Sequence, residues 1–168
     1  MQIQLCAPFG RACDKASAIP GKPQLLGLLD FIVEKREEKR LFIIAADNIG
    51  YFSKHEQHIR SPLGQIGCYG GCSAGITVVG IDSVGNVRGC EALYDERFIE
   101  GNIREKSLTD IWNSEDAFSF NRELDLSMIN DKCASCDVRN ICLGGCRSMN
   151  YFSHGNIYES LLCVRTQE

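Results

Sequence analysis

The hydrophobic pattern changes character about a third of the way along the chain. Before that point, apolar runs predict a short strand at Gln2–Cys6, a helix from Gln24 to about Lys39, and a second strand at Leu41–Ala46. A strand, a helix and a strand of this length are typical of a βαβ unit with parallel strands. Because the second strand is almost continuously apolar, we expect it to be buried on both faces.

From Gly64 onward, glycines, cysteines and short elements replace the long apolar runs. Strand candidates at Gly75–Ile81 and Asn86–Cys90 flank Asp82–Gly85, and this arrangement predicts a β-hairpin. This hairpin pattern is the clearest local indication of secondary structure in this half of the chain.

Short helices are expected after the hairpin. Ser107 is a candidate N-cap for a helix at Leu108–Trp112, and Ser114 is a candidate N-cap for a second helix. Residues 131–168 show little regular periodicity. We therefore expect the order of this last segment to come from bound metal.

The two kinds of sequence pattern predict two domains in an α+β protein. Residues 1–63 form the βαβ part, and residues 64–168 form a small cysteine-rich domain with a hairpin, short helices and metal-ordered loops. One βαβ unit leaves a helix-free face and two open sheet edges. Either more sheet or another chain must complete it.

Charge and hydropathy exclude several classes of protein. The net charge is −4 and the pI is near 5.4, so general attraction to nucleic acid or to an anionic membrane is not expected. The longest strongly apolar stretches, Leu25–Val33 and Leu41–Ala46, are too short to span a bilayer. Residues 1–5 do not resemble the start of a secretion signal, so the expected compartment is the cytoplasm.

Cysteine is the unusual component, with ten in 168 residues. In a reducing cytosol, clustered cysteines are more often metal ligands than disulfides. Eight sulfurs divide naturally into two sites of four thiolates, which suit zinc or iron–sulfur clusters, and spacing alone leaves both open. The eight candidate ligands are Cys68, Cys72, Cys90, Cys133, Cys136, Cys142, Cys146 and Cys163.

The cysteine spacing resembles a known domain. The cysteine pattern has three parts: Cys72-x12-Gly85-x4-Cys90, then Cys133-x2-Cys136-x5-Cys142-x3-Cys146, then Cys163. This pattern is similar to that of the SPASM domain, which is the C-terminal extension of radical SAM enzymes that modify peptides or proteins. The connecting sequence at Glu100–Ile103 and Ser107–Trp112 resembles the linker of that family, and the similarity covers about residues 64–165. The N-terminal segments that resemble the last βα elements of the radical SAM partial, TIM-like barrel are Ile3–Leu5, Pro8–Arg11 and Asp47–Tyr51.

The resemblance implies two auxiliary [4Fe–4S] clusters with crossed ligation. The first cluster would be bound by Cys68, Cys72, Cys90 and Cys146. The second would be bound by Cys133, Cys136, Cys142 and Cys163. In sulfatase-maturating relatives an acidic residue at the position of Glu91 acts as a base, so Glu91 is a candidate catalytic residue.

Radical SAM chemistry requires a Cys-x3-Cys-x2-Cys loop, which this sequence does not contain. We therefore expect that the chain does not cleave S-adenosylmethionine alone and that this cofactor binds only in a complete parent enzyme. A missing N-terminal region or another chain would carry the radical SAM core, and the substrate would be a peptide or protein. The alternatives are a zinc-stabilised adaptor domain without a redox role and a non-functional remnant; zinc could also occupy the sites in aerobic preparations.

Overall fold

A computed structural model of the chain describes residues 1–15, 17, 19–46, 48–61 and 67–165. The predicted domain boundary at residues 63 and 64 lies outside the described residues, as does Asp47 of the barrel-like motif. The chain divides into two units. The α/β unit consists of Met1–Gly71 and Ile129–Glu168, and the hairpin unit consists of Cys72–Met128.

The α/β unit begins with the predicted strand–helix–strand succession. Strand β1 (Gln2–Ile3) pairs in parallel with β2 (Ile44–Ala45), and helix α1 (Lys22–Glu37) connects them. A 3₁₀ turn at Gly10–Asp14 precedes α1, and helix α2 (Glu56–Arg60) follows β2. The parallel pairing is confirmed, although both strands are shorter than the apolar runs that predicted them.

The core of this unit comes from one face of α1 and the residues around β2. The buried residues of α1 are three or four positions apart, as expected for one helical face. Residues from the last part of the chain join the same core. The cluster contains Leu5, Leu25, Leu29, Ile32, Ile43, Ala45, Ile49, Ile59, Met149 and Val164.

The prediction that the second strand is buried on both faces is wrong. Ile43 and Ala45 are buried, whereas the side chain of Ile44 is 42% exposed and Phe42 is 50% exposed. Successive strand residues point to opposite faces, so α1 covers one face of the two-stranded sheet and leaves the other face uncovered.

The hairpin unit has a three-stranded antiparallel sheet in the order β3 (Gly80–Ile81), β4 (Asn86–Arg88) and β5 (Gly101–Asn102). The predicted hairpin is thereby confirmed. Its turn is held by Asp82, whose Oδ1 accepts the backbone N–H groups of Val84 and Asn86 at 3.0 and 2.9 Å.

The remaining elements of the hairpin unit are short. Helix α3 (Leu108–Trp112) begins at the predicted cap, because Ser107 accepts the backbone N–H of Asp110. A 3₁₀ turn at Glu96–Phe98 precedes it, and another at Leu126–Met128 closes the unit.

The second predicted cap in this unit is wrong. Helix α4 (Ser119–Arg122) starts after Phe118, which adopts a left-handed conformation with φ 59°. The Ser114 hydroxyl instead donates to the carbonyl of Asp110. Phe118 is fully buried with Val87, Ile111 and Ala117, so packing sets this helix start.

Residues 129–165, which we call the cysteine segment, contain helices α5 (Asp131–Ala134), α6 (Arg139–Cys142) and α7 (Arg147–His154). The expectation of little regular structure is wrong for α7. Its first five residues are all buried, including Arg147, Ser148 and Asn150. Polar residues on the buried face hide the periodicity that identifies a helix in sequence. Within the described part of the chain, no helix has the length and apolar character needed to cross a bilayer.

Candidate metal centre

Four of the predicted ligands lie around one pocket of the α/β unit, although among the described residues they are not close enough together to form a metal site. Cys133 lies in α5, Cys136 follows it after a tight turn in which its N–H donates to the Cys133 carbonyl at 3.3 Å, and Cys142 ends α6. Together with Cys163 they line one pocket of about 380 Å³, counting the space open to solvent. The predicted second ligand set is therefore gathered around a shared cavity from segments up to 30 positions apart.

The surroundings of this pocket raise the pKa values of its thiols. Burial, followed by the charges of Cys163, Cys133 and Cys136, raises the pKa of the Cys142 thiol to about 12. Burial also raises the pKa of Cys133. Thiols in this setting stay protonated until a metal centre supplies positive charge, and metal binding then releases their protons. The donor set of four thiols in a largely apolar cavity fits a Cys₄ iron–sulfur cluster.

The walls of the pocket combine aromatic and basic side chains. Tyr51 and Phe52 form its apolar side, and Lys132, Arg139 and Arg165 also line it. Arg165 forms a bidentate pair with Asp137 at 2.6 and 3.0 Å, so part of this positive charge is already balanced. Basic groups around an anionic thiolate centre lower the cost of burying its charge.

The loop between Cys142 and Cys146 has an unusual backbone. Leu143, Gly144 and Gly145 have φ values of 53°, 81° and 81°. A Cβ on Gly144 would lie 2.3 Å from the carbonyl oxygen of Tyr158. Glycine is therefore required at Gly144 by both conformation and space, and it lets the backbone curl tightly between Cys142 and Cys146.

Tyr51 is a residue that sequence reasoning missed. Its hydroxyl accepts the backbone N–H of Cys146 at 3.1 Å, and a Cβ on Gly145 would lie 2.7 Å from its ring. Burial and the nearby charge of Cys146 raise the pKa of Tyr51 well above its usual range, so the phenol stays protonated. Tyr51 ends the barrel-like segment Asp47–Tyr51, but nothing in that segment indicates this contact, because Tyr51 lies 95 positions before Cys146.

The other predicted ligand set is divided between the two units. Cys68 and Cys146 belong to the α/β unit, and Cys72 and Cys90 belong to the hairpin unit. Burial raises the pKa of Cys90, and the charge of Cys72 contributes further. Within the hairpin unit, Asn121 donates to the backbone carbonyl of Cys72 at 2.7 Å and fixes the chain there.

The remaining candidates are solvent-facing. Cys68 and Glu91 are exposed, and so are Cys6 and Cys13, the two cysteines outside both predicted ligand sets. All ten cysteines lie in described residues and are free thiols. Among the residues that the structure describes, no group of three or more His, Cys, Asp or Glu side chains is drawn together closely enough to be identified as a site for a metal ion.

Comparison with known proteins supports the resemblance that the cysteine spacing predicts. Residues 72–137 match the family model of SPASM, an iron–sulfur cluster-binding domain. Over 158 residues the chain is 29% identical to the mycofactocin maturase MftC of Mycobacterium tuberculosis, covering 91% of this chain and 37% of that protein. It is 32% identical over 139 residues to the PqqA peptide cyclase of Xanthomonas axonopodis pv. citri, covering 80% of this chain and 33% of that protein.

The fold is similar to that in the crystal structure of Streptococcus suis SuiB, with a TM-score of 0.55 and 21% sequence identity. This similarity covers 86% of the present chain and 34% of the SuiB chain. The chain thus spans about a third of the length of the curated relatives it matches. The predicted resemblance to the SPASM domain is confirmed, and so is the mixed helix-and-strand fold with small sheets.

Proposed function

With an iron–sulfur SPASM domain at residues 72–137 as the premise, we propose that the chain binds two auxiliary [4Fe–4S] clusters within a radical SAM enzyme that modifies a peptide or protein. The observation that carries this proposal is the pocket lined by four cysteine thiols in the α/β unit. Such clusters supply one-electron chemistry when bound. The residues of this chain bury the thiolates, orient them and limit their contact with water.

The ligand assignment follows the spacing and the local contacts. The second set is supported by the pocket that its four cysteines line, and by the contribution of Cys133, Cys136 and Cys163 to the raised pKa of Cys142. The first set is supported by the partly buried setting of Cys90, whose pKa the charge of Cys72 helps to raise, and by the hydrogen bond from the Cys146 backbone N–H to Tyr51. The proposed first set is Cys68, Cys72, Cys90 and Cys146. The proposed second set is Cys133, Cys136, Cys142 and Cys163.

The relatives suggest the class of parent enzyme. Their names describe a maturase and a peptide cyclase, so a peptide or protein substrate is proposed for this chain as well. Residues 1–63 would be the last βα elements of a partial barrel, and a preceding region or another chain would carry the loop that binds S-adenosylmethionine. Glu91 is proposed as a base facing the substrate, which its exposure permits. A cytoplasmic location would keep the ligand thiols reduced.

Anaerobic reconstitution followed by iron and sulfide analysis tests the proposal. We expect about eight iron and eight sulfide per chain, with the broad visible absorption of iron–sulfur clusters. Cys72→Ser and Cys142→Ser, one from each set, should each reduce iron to about half, because each removes a ligand from a different cluster. Cys13→Ser is the matched control, since Cys13 is exposed and outside both sets.

Two results would contradict the proposal. The first is one or two zinc per chain with no iron after anaerobic reconstitution, which would support a zinc-stabilised adaptor domain instead. The second is equal iron content in the wild type and in both ligand variants, which would mean that the assigned cysteines do not hold the iron.

A further inference from the structure

A buried arginine lies directly beside the loop that joins the two ligand sets. Arg147 follows Cys146, begins α7 and has no exposed surface. Burying a guanidinium is costly unless its N–H groups are well matched by acceptors. The acceptors that surround Arg147 therefore indicate what the side chain does.

The contacts of Arg147 converge on the cysteine loop. Its Nη1 donates to the carbonyl of Leu143 at 2.6 Å and to that of Ile157 at 3.2 Å, and it approaches the Gly145 carbonyl at 3.5 Å. The guanidinium also lies over the ring of Tyr158, with its central carbon 5.0 Å from the ring centroid. Arg147 thus connects the loop between Cys142 and Cys146 to the stretch of chain that leads towards Cys163.

A second side chain from the same helix completes this network. Asn150 is buried, and its Nδ2 donates to the Gly144 carbonyl at 2.6 Å and to the Ile157 carbonyl at 3.2 Å. The carbonyls of Leu143, Gly144 and Gly145 are all contacted by these two side chains. The two glycines adopt positive φ freely, whereas Leu143 carries the strain of a left-handed conformation, and these hydrogen bonds hold the loop in that form.

We propose that Arg147 is a positioning residue for the iron–sulfur ligands, and that its buried charge raises the reduction potential of the clusters they hold. The proposal rests on the proposed function. Fixing the loop sets the backbone of a ligand at each end, Cys142 at one and Cys146 at the other. A positive charge in a poorly screened interior favours the reduced, more negative form of a neighbouring cluster.

Arg139 offers a matched comparison. It also lies among the cysteines, where it lines the pocket and its Nη1 donates to the Ala134 carbonyl at 2.6 Å, but it is exposed. Water and salt screen an exposed charge far more than a buried one. Its removal should therefore change the reduction potential much less than the removal of Arg147.

The test uses the reconstituted 168-residue chain and the variants Arg147→Met, Arg147→Lys and Arg139→Met. Two quantities are measured: the loss of iron to a competing chelator and the reduction potential by anaerobic titration. Arg147→Met should bind iron about ten- to a hundredfold more weakly, as is typical when a residue supporting the ligands is lost, and its potential should be more negative. Arg147→Lys should keep a near-wild-type potential but retain iron less well, because an ammonium cannot reproduce the guanidinium fork.

The possible outcomes separate this inference from the proposed function. Wild-type iron retention in Arg147→Met would overturn the inference, as would a wild-type potential in that variant. Whether Arg147→Met folds is judged by comparing the circular dichroism of its iron-free chain with that of the iron-free wild type. If it does not fold, the inference is tested with Arg147→Lys alone. Weakened iron retention with an unchanged potential in Arg147→Lys supports the inference, and unchanged retention overturns it. A wild-type chain that binds no iron would instead contradict the proposed function.

Discussion

The hairpin unit and the cysteine segment are ordered in different ways. In the hairpin unit, a short sheet packs on a small apolar core that contains Val87 and Phe118, and its turn is fixed by Asp82. In the cysteine segment, a left-handed loop is held by polar contacts from the buried Arg147, and four thiols surround a cavity. The first arrangement depends on local pattern, whereas the second depends on distant partners and, in our proposal, on metal.

Gly144→Ala, in the cysteine segment, should destabilise the chain more than any substitution in the hairpin unit described below. The new Cβ would lie 2.3 Å from the Tyr158 carbonyl oxygen at a residue with φ 81°, so the loop would have to move. We expect a loss of at least about 2 kcal/mol in the free energy of unfolding, together with impaired iron binding. Denaturant unfolding and iron analysis of the reconstituted chain measure these two effects.

Gly155→Ala provides the control for that change. Gly155 has a nearly identical φ of 82°, but no atom beyond its two chain neighbours lies within 4 Å of a Cβ built there. The substitution should therefore cost only the left-handed backbone penalty of about 1 kcal/mol and should leave iron content unchanged. Equal losses in the two variants would show that backbone conformation, rather than the contact with Tyr158, determines the effect.

Asp82→Asn tests whether the hairpin unit depends on its own polar contacts. The Asp82 carboxylate accepts from Arg88 Nη1 at 2.7 Å as well as from the turn N–H groups, and the Arg88 hydrogen bond holds its pKa well below the usual range. A lowered folded-state pKa contributes stability that is present above the unfolded-state value of about 4 and is lost as pH falls through the folded-state value.

The expected result is therefore pH-dependent. Asp82→Asn should lower the stability of the hairpin unit at neutral pH, and the difference from the wild type should shrink as pH falls below about 4. Thermal unfolding over this pH range, with Asp95→Asn as a more exposed control, measures the effect. A difference that stays constant with pH would assign the loss to packing or geometry rather than to the charge.

The same contrast explains what could be predicted from the sequence. The hairpin was recognisable because Asp82 and Gly85 lie within the turn that they stabilise. Helix α7 was not, because buried polar residues such as Arg147 and Asn150 interrupt the apolar pattern. The exposure of Ile44 was also missed, since an apolar run does not show which face of a sheet is covered.

The candidate site, like the fold, could be predicted only in part from the sequence. Cysteine spacing predicted one ligand set that includes Cys133 and Cys142, because thiols at short, regular gaps have few other uses in a reduced protein, and both residues line the same pocket. Spacing did not reveal the residues that support those ligands. Tyr51 and Arg147 act through backbone groups, and such contacts leave no chemical signature in the sequence.

The smallest expected effect concerns the two predicted helix caps in the hairpin unit. Ser107 accepts the Asp110 N–H at 3.1 Å and caps α3, so Ser107→Ala should cost about 1 kcal/mol in the free energy of unfolding. Ser114 donates to the Asp110 carbonyl at 2.8 Å and caps no helix start, so Ser114→Ala should cost less. Denaturant unfolding of both variants measures the difference. A larger loss for Ser114→Ala would mean that a hydrogen bond at the end of α3 matters more than the cap at its start, and that even this unit is not ordered by the local signals that predicted it.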